Sequence, residues 1–483
     1  MASPRFVVIG GGPAGLTAAL ELVRHGLSPL VLEQSERVGG LARTENYRGF
    51  RFDMGGHRFF TKIPEIARLW REILGDDFLK RPRLSRIYYQ GHFFRYPLEI
   101  PDTLRKLGPF ETLAVLASYV WAQLFPAQPE TTFEHWVTNR FGRRLFKTFF
   151  ESYTEKVWGV PCSELRAEWA AQRIKDLSIK TLLRQILTRG GRRSTSLIDE
   201  FDYPRLGPGM MWERAAERVR AGGGAVDLKA EVMAIRHAGG RVTGVRVSTP
   251  EGDREIAGTD FIASMPISDL IARLDPPAPE AVRTAAKSLR YRDFLTVCLV
   301  VARPDLFPDN WIYVHETAVR VARIQNFKNW SPDMSPDPAK TTLGLEYFCA
   351  EGDALWNLPD RELVEVARAE IARIGLARAD EVEDGCVFRV AKAYPLYDAE
   401  YAAHLCVLRS FLSALPNCQM VGRNGLHRYN NQDHSMLTGL LAVRNVLHQK
   451  GEDLWSVNTD PEYLETAALP QGTSAPERAR QAT

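Results

Sequence analysis

Six residues near the start of the chain have the types and spacing to hold a nucleotide. They are Gly10, Gly12, Pro13, Ala14 and Gly15, answered downstream by Glu33. A Gly-x-Gly-x-x-Gly turn leaves backbone N–H groups bare and puts a helix N-terminus where a pyrophosphate can sit. Glu33 follows Gly10 by 23 residues, the distance at which a strand-end acid meets a ribose hydroxyl pair. An acid there, in place of Arg, disfavours a 2′-phosphate. The pattern predicts a dinucleotide cofactor; the bland alternative is a tight strand–helix turn with no ligand. Other chemistries are poorly served. The ten histidines form no H-x-x-x-H or similar pair, so no metal centre is expected. Serine and cysteine nucleophile patterns are missing. The six cysteines (162, 298, 349, 386, 406 and 418) contain no C-x-x-C and read as free thiols of a reducing compartment.

The elements that would position this turn are legible around it. Arg5 to Ile9 is a short apolar strand, Leu16 to His25 a helix, and Leu30 to Glu33 a second strand. Residues 62–80 read as helical, and Tyr88 to Arg95 as a hairpin about Gln90-Gly91. Residues 102–190 carry almost no strand pattern and read as a helical insertion. Trp212 to Ala221 reads as a helix. Ala225 to Leu228, Glu231 to His237, Arg241 to Ser248 and Glu255 to Ile262 read as strands, and Phe261 to Pro266 as a strand returning to the first domain. More strands follow in 291–349 and 386–393, with a helix near 360–375 and a last strong helix over Ser435 to Lys450. The tail from 466 reads as disordered.

The chain has 483 residues, 45% apolar and 25% charged, an ordinary globular composition. A net charge of +3 gives no global case for nucleic acid. No secretory leader fits before the first strand, and cytoplasmic location is expected. The apolar run Leu113 to Phe125 falls short of the roughly 20 residues a membrane span needs. It is expected to be a buried or interface helix, with docking at a membrane surface as a minor alternative.

Three further segments resemble the amine oxidase and protoporphyrinogen oxidase superfamily of FAD proteins. Val38-Gly39-Gly40-Leu41-Ala-Arg43-Thr44 is similar to its second FAD signature. Phe52-Asp-Met-Gly55-Gly56-His57 is similar to the loop along the isoalloxazine ring. Val421-Gly422-Arg423, running on to Asn431-Gln432-Asp433-His434-Ser435, is similar to the segment that sets a helix N-terminus against the flavin. Asp433 or Ser435 is the expected cap of that helix. Within the superfamily, the chain resembles UDP-galactopyranose mutases, on Lys156-Val157-Trp158 with Trp169 to Arg173, on Arg323-Ile-Gln-Asn-Phe327, and on Asn431 to Ser435. The loop Gly207-Pro-Gly-Met-Met-Trp212 is closer to oxidase-like relatives.

The resemblance implies a discontinuous Rossmann-like FAD-binding domain, with a helical lobe and an antiparallel-sheet substrate domain. The expected boundaries are 1–90, 203–285 and 418–465 for the FAD domain, 91–202 for the lobe, 286–417 for the sheet domain and 466–483 for the tail. It implies a nucleotide-sugar isomerase of the pyranose/furanose mutase type, with reduced flavin N5 as nucleophile on the anomeric carbon. Arg173 and Arg323 would grip the diphosphate, because a guanidinium fork binds phosphate bidentately. Tyr394 and Tyr429 would lend hydroxyls, and His57 would lie in the flavin loop. Trp158 and Trp169 are expected to pack. The competing reading is an FAD-dependent oxidase or desaturase of the protoporphyrinogen or amine oxidase type. A nucleoside-diphosphate sugar is the expected partner, a homodimer stays open, and neither nucleic acid nor an integral membrane segment is expected.

Overall fold

The computed structural model describes residues 5–96, 98, 100–167 and 200–458. Phe6–Ile9 (β1) is buried at every position, which suits a parallel strand covered on both faces. It pairs in parallel with Leu30–Leu32 (β2) and with Asp260–Ala263. Ala225–Asp227 and Cys418–Met420 complete a five-stranded sheet in the spatial order 418–420, 260–263, 6–9, 30–32, 225–227. One face carries the helix Pro13–Arg24 (α1) and the Gln432–His448 helix, with Leu16, Leu20, Leu440 and Val443 buried between them. Leu16 has no exposed surface, so Leu16→Ala would cost about 2–5 kcal/mol.

The expected strand 255–262 is two strands. Gly252–Ala257 pairs antiparallel with Arg241–Thr249, while Asp260–Ala263 crosses to the parallel sheet. Gly258 sits at the break, where a Cβ would come within 2.7 Å of the Phe261 ring. The expected helical stretch 62–80 also divides, into Pro64–Leu74 (α2) and the strand Phe78–Pro82. The last helix starts earlier than expected, at Gln432, so Asn431 caps it. Asp433 and Ser435 lie buried inside its first turn.

A seven-stranded sheet forms the second layer, in the order 382–395, 291–301, 341–349, 323–326, 311–314, 85–89, 92–95. It is antiparallel except where Ser85–Tyr89 runs parallel to Trp311–Val314. The hairpin expected at 88–95 is therefore one edge of this sheet. Helices Ile100–Leu107 (α3), Pro109–Leu124 (α4), Phe133–Phe141 (α5), Arg143–Phe146 (α6) and Ser152–Trp158 (α7) make the lobe. α4 is not a buried helix: Leu113, Trp121 and Leu124 are 65–67% exposed. Among the described residues no helix is long and apolar enough to cross a membrane. Arg173, Trp169 and the tail lie outside the described residues.

Candidate cofactor and substrate site

The glycine turn after β1 is shaped by what it excludes. Gly10 has φ +102°, and a Cβ there would fall 2.2 Å from Ser264 Oγ. A Cβ on Gly15 would stand 2.0 Å from the Gly10 carbonyl oxygen. Gly12 precedes α1 without any side-chain cap, and Pro13 takes the first helical position. The opening amides of α1 are thus left for an anion. Gly40 of the second glycine pair packs its backbone against Gly12. Leu41 follows it, and Arg43 is paired with Glu45 at 2.5 Å.

Glu33 is buried at the end of β2. Its Oε2 accepts the Gly11 N–H at 2.7 Å, and its Oε1 accepts the N–H and hydroxyl of Ser35 at 2.9 and 2.7 Å. A carboxylate has about four acceptor sites, so one remains for a ribose hydroxyl.

From this turn one cavity of about 1140 Å³ runs between the two sheets. Gly10, Gly12, Pro13, Ala14, Glu33, Gly40, Leu41 and Arg43 line the end at this turn. Gly55, Gly56, His57, Gly422, Arg423, Asn431, Asp433, His434 and Ser435 line it further along. Gly15 does not face it and acts as the spacer that lets α1 approach β1. Arg323, Tyr394 and Tyr429 line the same cavity, so the structure brings the described candidates together.

Arg323 comes from the strand Arg323–Asn326, opposite Glu346 on Thr341–Cys349. Its Nε donates to Glu346 at 2.8 Å, and its Nη2 donates to Tyr394 Oη at 2.9 Å. Burial opposes its charge, but Glu346 and the surrounding tyrosines hold it firmly protonated. No described residue bonds its Nη1. Tyr394 stacks on Tyr429, with ring centres 5.4 Å apart, and the Arg423 guanidinium lies 4.6 Å from the Tyr429 ring. Tyr397 Oη accepts the Tyr429 N–H at 2.7 Å and fixes that stack. Trp158 is buried edge-on to Tyr394 at 6.2 Å. Burial pushes the Tyr394 hydroxyl up to about 12, so it stays protonated. His57 bonds the Met54 carbonyl at 2.9 Å. Burial, helped by Arg423, brings its pKa down to about 4, which makes it a neutral ring.

Sequence reasoning missed Glu346, although an acid inside an otherwise apolar strand demands a partner. Lys156, read in the sequence only within a resembling segment and given no role, donates from Nζ to the carbonyls of Val314, Glu316, Val319 and Val321 at 2.8–3.2 Å. That ammonium ties together the loop leading into Arg323. The cavity wall beyond Arg323 holds Trp311 and Tyr313, with Arg58 and Arg83 over the Trp311 ring at 5.6 and 5.4 Å. The two arginines come from segments more than 200 residues before the strand that carries Trp311 and Tyr313, so no local signature joins them.

The family model for flavin containing amine oxidoreductase matches residues 13–446. The chain belongs to that family. Its cofactor is FAD, and the glycine cradle, the acid at the end of β2 and the length of the cavity fit it. This family member is 22% identical over 426 residues to an L-amino-acid oxidase of Demansia vestigiata, covering 81% of the chain and 75% of that protein. Its fold matches a crystal structure of reduced UDP-galactopyranose mutase with TM-score 0.82 and 22% identity, over 95% of this chain and 98% of that one. It also matches a putrescine oxidase bound to putrescine, with TM-score 0.59 and 18% identity, over 92% and 98% of the two chains.

Proposed function

We propose that the protein is an FAD-dependent isomerase of a nucleoside-diphosphate sugar, of the pyranose/furanose mutase type. The observation that carries this reading is Arg323, held by a buried carboxylate beside two stacked tyrosines on the wall of the flavin cavity. A departing diphosphate needs fixed positive charge, and an arginine oriented before the reaction supplies it without reorganisation. Losing one such contact costs about 3–4 kcal/mol in barrier. Arg323 grips the diphosphate together with Arg173, Tyr394 and Tyr429 donate hydroxyl protons to its oxygens, and neutral His57 keeps charge away from the flavin loop. The cofactor residues from Gly10 to Ser435 hold FAD in the order described above. The chemistry asked of reduced FAD is nucleophilic help at the anomeric carbon. The fold likeness to a mutase over nearly the whole chain supports this choice.

A second reading has its own support. The far cavity wall is apolar, with Phe133, Phe141, Leu145, Phe149 and Phe150, and a sequence relative is an oxidase. An oxidase or desaturase of an apolar substrate would use that wall. Incubating dithionite-reduced enzyme with UDP-galactose and other nucleotide hexoses separates the two. The mutase reading expects a new, chromatographically distinct nucleotide sugar. If every sugar emerges unchanged while an amine or apolar substrate bleaches the oxidised flavin, the oxidase reading replaces it.

A further inference from the structure

α4 turns one half of its surface to solvent, and that half is apolar. Phe110 is 87% exposed, and Leu113, Val120, Trp121 and Leu124 are 54–67% exposed. Phe125, just past the helix, is 61% exposed. At 100° per residue these positions share one half of the helix, while the buried Val115, Tyr119 and Ala122 occupy the other. A continuous apolar stripe along a helix about 24 Å long is more than the scattered exposure of an ordinary surface.

The lobe that carries the stripe is slightly basic. From 100 to 147 the chain has six Lys/Arg and four Asp/Glu. The four acids pair with four of these bases, Asp102 with Lys106, Glu111 with Arg144, Glu130 with Arg140 and Glu134 with Arg143, so the excess is two positive charges, with Arg105 also 3.5 Å from Asp102. Arg105 and Arg143 are 79% and 67% exposed.

We infer that the outward face of α4 docks on an anionic bilayer surface. Apolar side chains enter the acyl boundary, Trp121 sits at headgroup depth, and the excess basic charge of the lobe meets the lipid phosphates. A second copy is a poorer occupant, because a two-fold contact would set this slightly basic lobe against itself. The face also has a place in the architecture: Leu116 is 41% exposed and lines the flavin cavity, so the cavity reaches the edge of the protein beside this helix.

The test is flotation of the full-length, FAD-loaded protein with phosphatidylcholine vesicles, with and without about 30% phosphatidylserine. Binding is expected only with the anionic lipid at about 0.1 M salt, and loss of binding at about 1 M. L113E/L124E is expected to cut partitioning at least about tenfold while keeping its flavin absorbance. Should that variant lose FAD, R105E/R143E tests the same surface from outside the stripe and is expected to weaken binding in the same direction. Three results overturn the proposal. One is no flotation with any vesicle. Another is a lipid-free dimer that L113E/L124E dissolves. The third is unchanged flotation of both variants, which would put the contact elsewhere in the chain.

Discussion

Arg323 and Glu346 form a buried ion pair across neighbouring strands, with Nε and Nη2 bonded to one carboxylate oxygen at 2.8 and 2.5 Å. Glu346 has no exposed side-chain surface, and Gln325 donates to its other oxygen at 2.8 Å. Removing the arginine would strand a buried charge. Arg323→Ala is therefore expected to lose about 3–5 kcal/mol in urea unfolding, and the double change Arg323→Met with Glu346→Leu far less. Equal stability of Arg323→Ala and wild type would show that the pair carries no such load.

The glycine cradle makes a sharper claim about the cofactor. Gly10→Ala places a Cβ 2.2 Å from Ser264 Oγ at a φ of +102°, so the turn must shift. The purified variant is expected to carry little flavin, read from the ratio of 450 nm to 280 nm absorbance (about 450 nm is the flavin band). Gly26→Ala, which meets nothing within 4 Å, is the control for strain at positive φ alone. Full flavin occupancy in Gly10→Ala would mean the turn does not hold the pyrophosphate.

Acid stability follows from three histidines kept neutral by burial. His57 and His427 are pulled down to about 4, and His315, beside Lys156, to about 3. Unfolded, each titrates near about 6.5. The unfolded chain thus binds more protons between about pH 6.5 and 4, and stability falls as pH drops through that window. Asp53 acts oppositely. Burial raises it to about 7 against bonds from Tyr203 and Thr44, so its contribution is lost as pH rises from about 4 towards 7. Asp53→Asn is expected to steepen the pH dependence of the urea midpoint between about pH 5 and 7. An unchanged slope would contradict this assignment.

Lys156 is expected to act on the loop before Arg323 rather than on any reacting atom. Burial brings its pKa down to about 8, yet its ammonium gathers four backbone carbonyls. Lys156→Met keeps the bulk and orphans those acceptors. Amide exchange over residues 314–322 is expected to quicken by about tenfold or more, with flavin content retained. Unchanged exchange there would show that Lys156 does not hold the loop.

Much of the nucleotide end was legible in the sequence, because β1, the glycine turn, α1 and Glu33 are contiguous and each has a local physical signature. The same holds for the 88–95 hairpin about Gln90-Gly91, though not for its membership of the large sheet. That pairing depends on Trp311–Val314, more than 200 residues away. The return to the parallel sheet at Phe261 was legible from its apolar run, but reading 255–262 as one strand overran the break at Gly258, where the charged, exposed strand Gly252–Ala257 ends and the buried strand Asp260–Ala263 begins. The cap at Asn431 was misplaced because Asp433 is as good a capping residue by type. Arg323 was found through its segment, but its buried partner Glu346 needed the register of two strands.

Mutase chemistry requires this flavin cavity to receive a nucleotide's diphosphate at Arg323. Titrating the flavin spectrum with UDP, UDP-sugars and other nucleoside diphosphates, in wild type and in Arg323→Lys, tests it most directly. A saturable spectral change is expected in wild type, with a midpoint at least about tenfold higher in Arg323→Lys, which keeps the charge but loses the planar fork. A flavin spectrum indifferent to every nucleoside diphosphate, or a midpoint identical in the two proteins, would contradict it.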